Sequence, residues 1–254
     1  MNSSGFRRNV YLIIFTGSLF LITYYSTAQS RELNRQNQSW FSVNTTAKIT
    51  DRWAVITDLH TRHKEFMGHN NFNFVRAGIQ YSFSKNFSVA AGYGHLWSYP
   101  SIKEWNTITH ESRIYQQLLY TSNWKKISLL HRIRNEQRWQ QKIVNDQYTG
   151  QKRFTNRIRY LFSLNIPVFK KKNLPSLSLA DELALQMGKD VIYNTYEQNR
   201  FFIGIKQQIS PSLSFDTGYM VVYQQKKSGY QYDLNNTFRL FFYYSPHIGK
   251  KHKA

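Results

Sequence analysis

The chain has 254 residues, no cysteine, and 34 lysines and arginines against 14 aspartates and glutamates, a formal net charge of +20. The absence of cysteine excludes disulfides and thiolate metal sites. A balance this basic raises nucleic acid first, but an apparent export signal argues against nucleic acid and points instead to phosphate-bearing lipid or polysaccharide.

The signal is read from Arg7 and Arg8, a basic n-region, followed by the apolar run Val10–Ile22 and the small residues Ser26-Thr27-Ala28. The run is shorter than the roughly 20 residues a spanning helix needs, so cleavage before Gln29 is expected. Cleavage removes Arg7 and Arg8 and leaves +18. Beyond it no apolar run is long enough for a membrane helix, and Tyr, Phe and Trp are abundant, as strands favour.

Alternation at period two then recurs between turn signals. Phe41, Val43, Ala47 and Ile49 share a face within 40–49, and Thr50-Asp51-Arg52 turns the chain. Trp53, Val55, Thr57 and Leu59 are backed by Asp58, His60 and Arg62, and a polar loop follows at 64–70. Val75 to Phe83 are backed by Arg76, Gly78 and Gln80, and Ser84-Lys85-Asn86 leads to Phe87, Val89, Ala91 and Tyr93. After a loop at 98–107, Ile114, Leu118 and Tyr120 oppose Glu111, Arg113 and Gln117. A turn is expected at Thr121-Ser122-Asn123.

The next segment puts Arg132, Arg134, Glu136 and Arg138 on one face and Leu129, His131, Ile133 and Trp139 on the other. A polar loop is expected at 140–152, then Phe154 to Leu164 against Arg157 and Arg159, and a basic turn at Lys170-Lys171-Lys172. Leu177 to Leu185 oppose Ala180, Glu182 and Ala184, and a loop spans 187–196. Phe201, Ile203 and Ile205 oppose Arg200 and Gly204. Leu213 to Tyr223 oppose Asp216 and Gly218, and Leu234 to Tyr244 oppose Thr237 and Arg239.

Connections that alternate short and long, aromatics near strand ends (Trp53, Trp97, Trp124, Trp139, Tyr244) and a face mixing Gly, Ala, Ser, Arg and Glu favour a barrel in lipid over a soluble sandwich. Strands in lipid must close, because every backbone polar group has to pair internally. The expected fold is all-β, an up-and-down antiparallel transmembrane β-barrel with an Arg/Glu-rich lumen. Eleven segments are visible. Bacterial barrels normally have an even number, so twelve strands are expected within a range of about ten to twelve. The extra strand would lie between Gln29 and Gln38, unless one element has been split in two. The organisation is then a signal at 1–28, an N-terminal segment at 29–38, the barrel at 39–245 and a solvated basic tail at 246–254.

His131-Arg132-Ile133-Arg134-Asn135-Glu136-Gln137-Arg138, Asn156-Arg157-Ile158-Arg159-Tyr160, Asp181-Glu182, Gln198-Asn199-Arg200 and Gly218-Tyr219-Met220 occur in that order. With Glu111-Ser112-Arg113 and Gln116-Gln117 they resemble an uncharacterised family of outer-membrane β-barrels, a domain of unknown function in Gram-negative bacteria. The resemblance spans about Trp40 to Tyr244. It implies a barrel and the outer membrane, with outer-membrane lipid and lipopolysaccharide as surroundings, and it implies no activity.

The charged column comprises Glu111, Arg113, Arg132, Arg134, Glu136, Arg138, Arg157, Arg159, Glu182 and Arg200. A one-residue slip would turn its arginines into lipid, at roughly 2–4 kcal/mol each near the midplane, so inward parity is expected. Tight pairing around 121–123 would set Glu111 opposite Arg134 and Arg113 near Arg132. Arg134 would then neighbour Arg157, Arg132 would neighbour Arg159, and Glu182 would approach Arg159 and Arg200. Three roles follow. The network is mainly structural; or its surplus guanidiniums bind or pass a small anionic solute, or a phosphate-bearing lipid or saccharide; or outward His110, Ser112 and His131 serve a lipid-modifying hydrolase. No G-x-S-x-G elbow supports the third role, so the residues favour a non-enzyme. Around His60, Arg62 and His63 no metal-ligand spacing is seen, and no cofactor is expected.

Overall fold

The computed structural model describes residues 31–102, 104–169 and 174–249. The signal segment, the Lys170–Lys172 turn and the end of the tail from Lys250 lie outside the described residues. Eleven strands follow in order: β1 Glu32–Lys48, β2 Trp53–Lys64, β3 His69–Ser82, β4 Phe87–Ser98, β5 Thr109–Trp124, β6 Ile127–Val144, β7 Gln147–Pro167, β8 Ser176–Met187, β9 Tyr196–Ser210, β10 Leu213–Gln225 and β11 Gln231–Tyr244. Each visible segment is one strand. The expectation of twelve is corrected to eleven, because 32–38 forms the first part of β1 instead of a separate strand.

Ten neighbouring pairs are antiparallel, and β1 closes the sheet against β11 in parallel, from Glu32↔Gln231 to Thr45↔Tyr244. An odd count requires this, since up-and-down connections bring the first and last strands round in the same direction. Following the register from Arg134 through Gln117, Ala90, Gln80 and Ala54 ends at Lys48 on β1. Following it the other way, through Arg159, Ala184, Gln198, Gln224 and Asp233, ends at Asn34 on the same strand. The 14-residue offset between Lys48 and Asn34 is the stagger of the barrel. With eleven strands it implies a tilt of about 40–45° and a radius of about 11 Å.

The period-two pattern fixes which face looks inward, and the usual burial order is inverted. Asp58 is 6% exposed while its neighbour Leu59 is 52% exposed. Ile79, Ile114, Ile133, Ile203 and Tyr219 also stand outward, while Arg76, Glu136, Arg157 and Asp216 are buried inside. The interior has apolar parts as well: Trp40, Phe202, Met220 and Val222 pack together with Ala180 and Phe241 against them, and Ile56, Ala90 and Tyr115 form a second cluster. Tyr115 lies over the paired glycines Gly78 and Gly92, where an added Cβ would run into its ring and into backbone carbonyls. These glycines let the Tyr115 ring lie flat on the wall.

Two connections differ from expectation, for related reasons. β5 and β6 continue to a turn at Lys125-Lys126, beyond 121–123, and Asn123 still pairs with Ser128. β6 and β7 run through 140–152 to a tight turn at Asn145-Asp146, whose φ angles of 49° and 58° are those of a type I′ hairpin. Both hairpins carry polar residues within paired strands, so polarity does not mark their ends. Trp139 therefore lies inside β6 instead of at its end. Short and long connections consequently do not alternate regularly. The start of the tail is also paired: His247 bridges Lys48, and the Lys48 N–H donates to the Pro246 carbonyl at 2.9 Å.

Candidate functional site

β5 to β9 turn all ten expected charged positions inward on adjacent walls, and ion pairs join them, Arg138 by way of Glu197. Glu136 sits at the centre. It accepts from Arg159 at 2.9 Å and from Arg157, with Arg134 at 3.7 Å and Arg113 at 3.9 Å. Arg113 also donates to Glu111 at 2.5 Å. Glu182 accepts from Arg159 at 2.5 Å, Arg132 at 2.6 Å and Arg200 at 3.0 Å. Arg134 donates twice to the Gln117 carbonyl oxygen, at 2.5 and 2.9 Å. Guanidinium forks suit this arrangement because each can serve two acceptors at once.

The pairing partners differ from the expected ones by even numbers of residues. Arg113 faces Arg138, and Glu111 faces Gln140, because the β5–β6 turn lies at 125–126. Arg134 faces Arg159 and Glu136 faces Arg157, because the β6–β7 register shifts between Gln141 and Ile143 before the tight turn. Even shifts leave the inward face unchanged. Glu182 faces Arg200 directly and reaches Arg159 diagonally.

Parity alone misses Glu197. Its neighbours Phe201 and Ile203 place odd positions of β9 outward, yet Glu197 is 7% exposed and faces the lumen. The register shifts between Ala184 and Leu185, which pair with Gln198 and Tyr196, and this bulge turns Glu197 inward. There it accepts from Arg138 at 2.7 Å and Arg157 at 3.0 Å. The signal available in the sequence was the shortage of carboxylates in the column. Three further pairs lie elsewhere on the wall: Arg76 with Asp58, Lys226 with Asp233, and Arg239 with Asp216 at 2.8 Å, the last carboxylate also accepting from the Tyr243 hydroxyl at 2.6 Å.

A cavity of about 1010 Å³ occupies the lumen. Its lining runs from Glu32–Asn34, Asn194 and 224–233 at one rim to Asn44, Phe241 and Tyr243 deep inside. Ala54, Ser88, Ser178 and Ser214, the small inward residues nearest the opposite rim, are buried and do not line it. Small buried side chains thus crowd that end of the lumen, although Tyr243, which pairs with Ser214 there, still lines the cavity. Eleven arginines and two lysines line it against five carboxylates.

On the outer wall, Tyr93 donates to Ser112 at 2.9 Å, His95 and His110 share a contact at 3.1 Å, and His131 meets the Tyr160 hydroxyl at 2.9 Å. Ser112 faces Trp139 across the strands, and His131 faces Tyr120 and Phe162. Among the described residues no serine hydroxyl is hydrogen-bonded to a histidine, and no cluster of three metal-ligating side chains is found.

Residues 37–244 match the family described as protein of unknown function (DUF2490), and the chain belongs to that family. No curated protein and no solved structure matches it.

Proposed function

Starting from a family that assigns no activity, we propose that this chain is an outer-membrane β-barrel whose lumen is a pocket for a small anion, with phosphate or carboxylate as the recognised group. Even when Glu136, Asp58 and Asp216, which pair with lining arginines, are added to the five carboxylates of the lining, eleven arginines and two lysines face eight carboxylates, and this excess carries the reading. A purely structural network would be expected to approach neutrality, because an uncompensated buried charge is costly. The β5–β9 wall retains a structural role: Glu136 and Glu182 tie five strands together. The outward belt of Ile, Leu, Val and aromatic residues supports a lipid surround, as does the export signal read at residues 1–28. Binding is favoured over passage because small buried side chains crowd the second rim.

Two readouts test this on one purified sample. An unheated detergent gel should show faster migration than a boiled one. A series of anions from inorganic phosphate to alkyl phosphates should raise the unfolding midpoint, since a ligand at a hundred times its Kd stabilises by about 2.7 kcal/mol. Equal migration, with recovery in a soluble periplasmic fraction, would remove the membrane placement. No shift with any anion would remove the pocket.

A further inference from the structure

The surplus charge of the lumen is not spread evenly. Of the eleven arginines and two lysines around the cavity, Arg62, Arg153 and Lys227 have no carboxylate within ion-pair distance among the described residues, whereas each of the others has one. These three cations fall in two places. Arg62 is on β2 and Arg153 on β7, five strands apart in a ring of eleven and so on nearly opposite walls. Lys227 follows the end of β10, at the rim.

The inner centre is Arg62. Its guanidinium carbon lies 3.2 Å from the centroid of the Trp40 ring and 4.3 Å from that of Phe72, its register neighbours on β1 and β3. These cation–π contacts keep it on its own wall and put no acceptor on its N–H groups. Among the described residues its nitrogens make no hydrogen bond, and none is sealed from solvent, so they are left for a ligand in the cavity. The outer centre is Arg153 with Lys227. Arg153 donates to the Asp190 carbonyl at 3.2 Å. Partial desolvation, and then the charges of Arg153 and Lys142, hold the Lys227 ammonium below its ordinary range, which marks Arg153 and Lys227 as neighbours at the mouth. The Asp190 carboxylate acts on both from beyond ion-pair distance. Gln140, paired with Arg153, and Gln224, three residues before Lys227, also line the cavity. Their amides make no hydrogen bond to the described residues and are not sealed from solvent. Each amide offers a hydroxyl both a donor and an acceptor.

We propose that the ligand is a sugar or polyol with a phosphate at each end, one phosphate on Arg62, the other on Arg153 and Lys227, and hydroxyls on Gln140 and Gln224. This rests on the anion reading above and narrows it. One phosphate cannot serve both centres: a barrel of about 11 Å radius sets the β2 and β7 backbones about 20 Å apart, and Arg62 is held against its own wall. A phosphate monoester carries close to two charges, which matches the two cations of the outer centre better than a carboxylate does. Two centres engaged by one ligand reinforce each other through effective concentration, by about 10²–10⁴ in affinity.

The test uses the full barrel in nanodiscs of neutral phosphatidylcholine, with empty nanodiscs as the control. Equilibrium dialysis should show mannitol 1,6-bisphosphate bound at one site per barrel, at least about a hundredfold more tightly than mannitol 1-phosphate. Glucarate, a dicarboxylate on a six-carbon hydroxylated chain, should bind about tenfold or more weakly than the bisphosphate. 1,6-Hexanediol bisphosphate, which lacks the hydroxyls, should also be weaker by about tenfold. Arg62→Gln and Lys227→Gln should each bring the bisphosphate down to near the affinity of the monophosphate. Neither should lower the ligand-free unfolding temperature, since neither leaves a carboxylate unpaired.

Equal affinity for the bisphosphate and the monophosphate would overturn the two-centre ligand and leave the anion pocket standing. Glucarate as tight as the bisphosphate would overturn phosphate as the end group, and hexanediol bisphosphate as tight would overturn the hydroxylated chain. A bisphosphate preference that survives both substitutions would overturn the assigned centres. Failure of every anion to bind would overturn this inference and the anion reading together. The ligand series on the unsubstituted protein decides the ligand class even if the Arg62 variant does not fold, and Lys227, in an exposed loop, supplies the second variant.

Discussion

Glu182 carries three guanidiniums on two carboxylate oxygens, with Arg132 on Oε1 and Arg159 and Arg200 on Oε2. Its side chain is 7% exposed, so little solvent screening is available to replace a lost charge. Removing one partner from a buried ionic cluster costs about 3–5 kcal/mol, because the remaining charges stay desolvated. Glu182→Gln should lower the unfolding free energy by that order in a denaturant titration in detergent. Joint replacement with Arg200→Met should recover part of the loss, and an unchanged midpoint for the single variant would show that the cluster is not coupled. At this scale the sequence was partly legible. Which side chains turn inward followed from alternation, because the opposite parity would have put the arginines on the apolar face. Of the contacts, Glu182 with Arg159 and Arg200 followed from the sequence, whereas Arg113 with Glu136 and Arg138 with Glu197 did not, because these depend on turn positions and stagger. Glu197 needed the bulge, and a bulge of one residue leaves no periodic trace in so short a polar stretch.

The strands were legible as elements, whereas their ends were not. The β6–β7 hairpin shows why: residues 140–152 are mostly polar, yet the strands stay paired, through a register shift at Gln141/Ile143, to Asn145-Asp146, two residue types that accept the left-handed conformation cheaply. This turn has a second task. The Asp146 carboxylate accepts the Asn106 N–H at 3.0 and 3.1 Å and the Thr107 N–H at 2.7 Å, tying the β4–β5 loop to the β6–β7 tip. Backbone donation from Asn106 and then Thr107 holds this carboxyl below its ordinary range. A depressed carboxyl contributes order that is fully present above its unfolded pKa of about 3.9 and is lost as pH falls through the lower folded value. Amide hydrogen exchange should therefore show Asn106 and Thr107 protected at neutral pH and released in acid. Asp146→Asn keeps the turn geometry but removes the charge, and should weaken that protection already at neutral pH. Equal exchange in both proteins would place the anchor of the loop elsewhere.

For the whole molecule, eleven strands, a parallel closing seam and a stagger of 14 residues give a barrel with a lumen narrow enough for side chains to fill much of it. The expectation of an even strand count came from a general habit of bacterial barrels, and the eleven visible segments were the better guide. Closure and an inward charged face were readable from the pattern. The apolar cluster within the lumen was not, because Trp40, Phe202 and Met220 become neighbours only after β1 meets the last strands around the seam. The central claim is that this lumen holds a solute and does not conduct one. Planar-bilayer recording tests it most directly, on protein from a sample that shows heat-modifiable gel migration. The account predicts no steady current above the bare bilayer, with either simple salts or phosphate. A large, steady, weakly selective conductance would contradict it and would make the chain a porin.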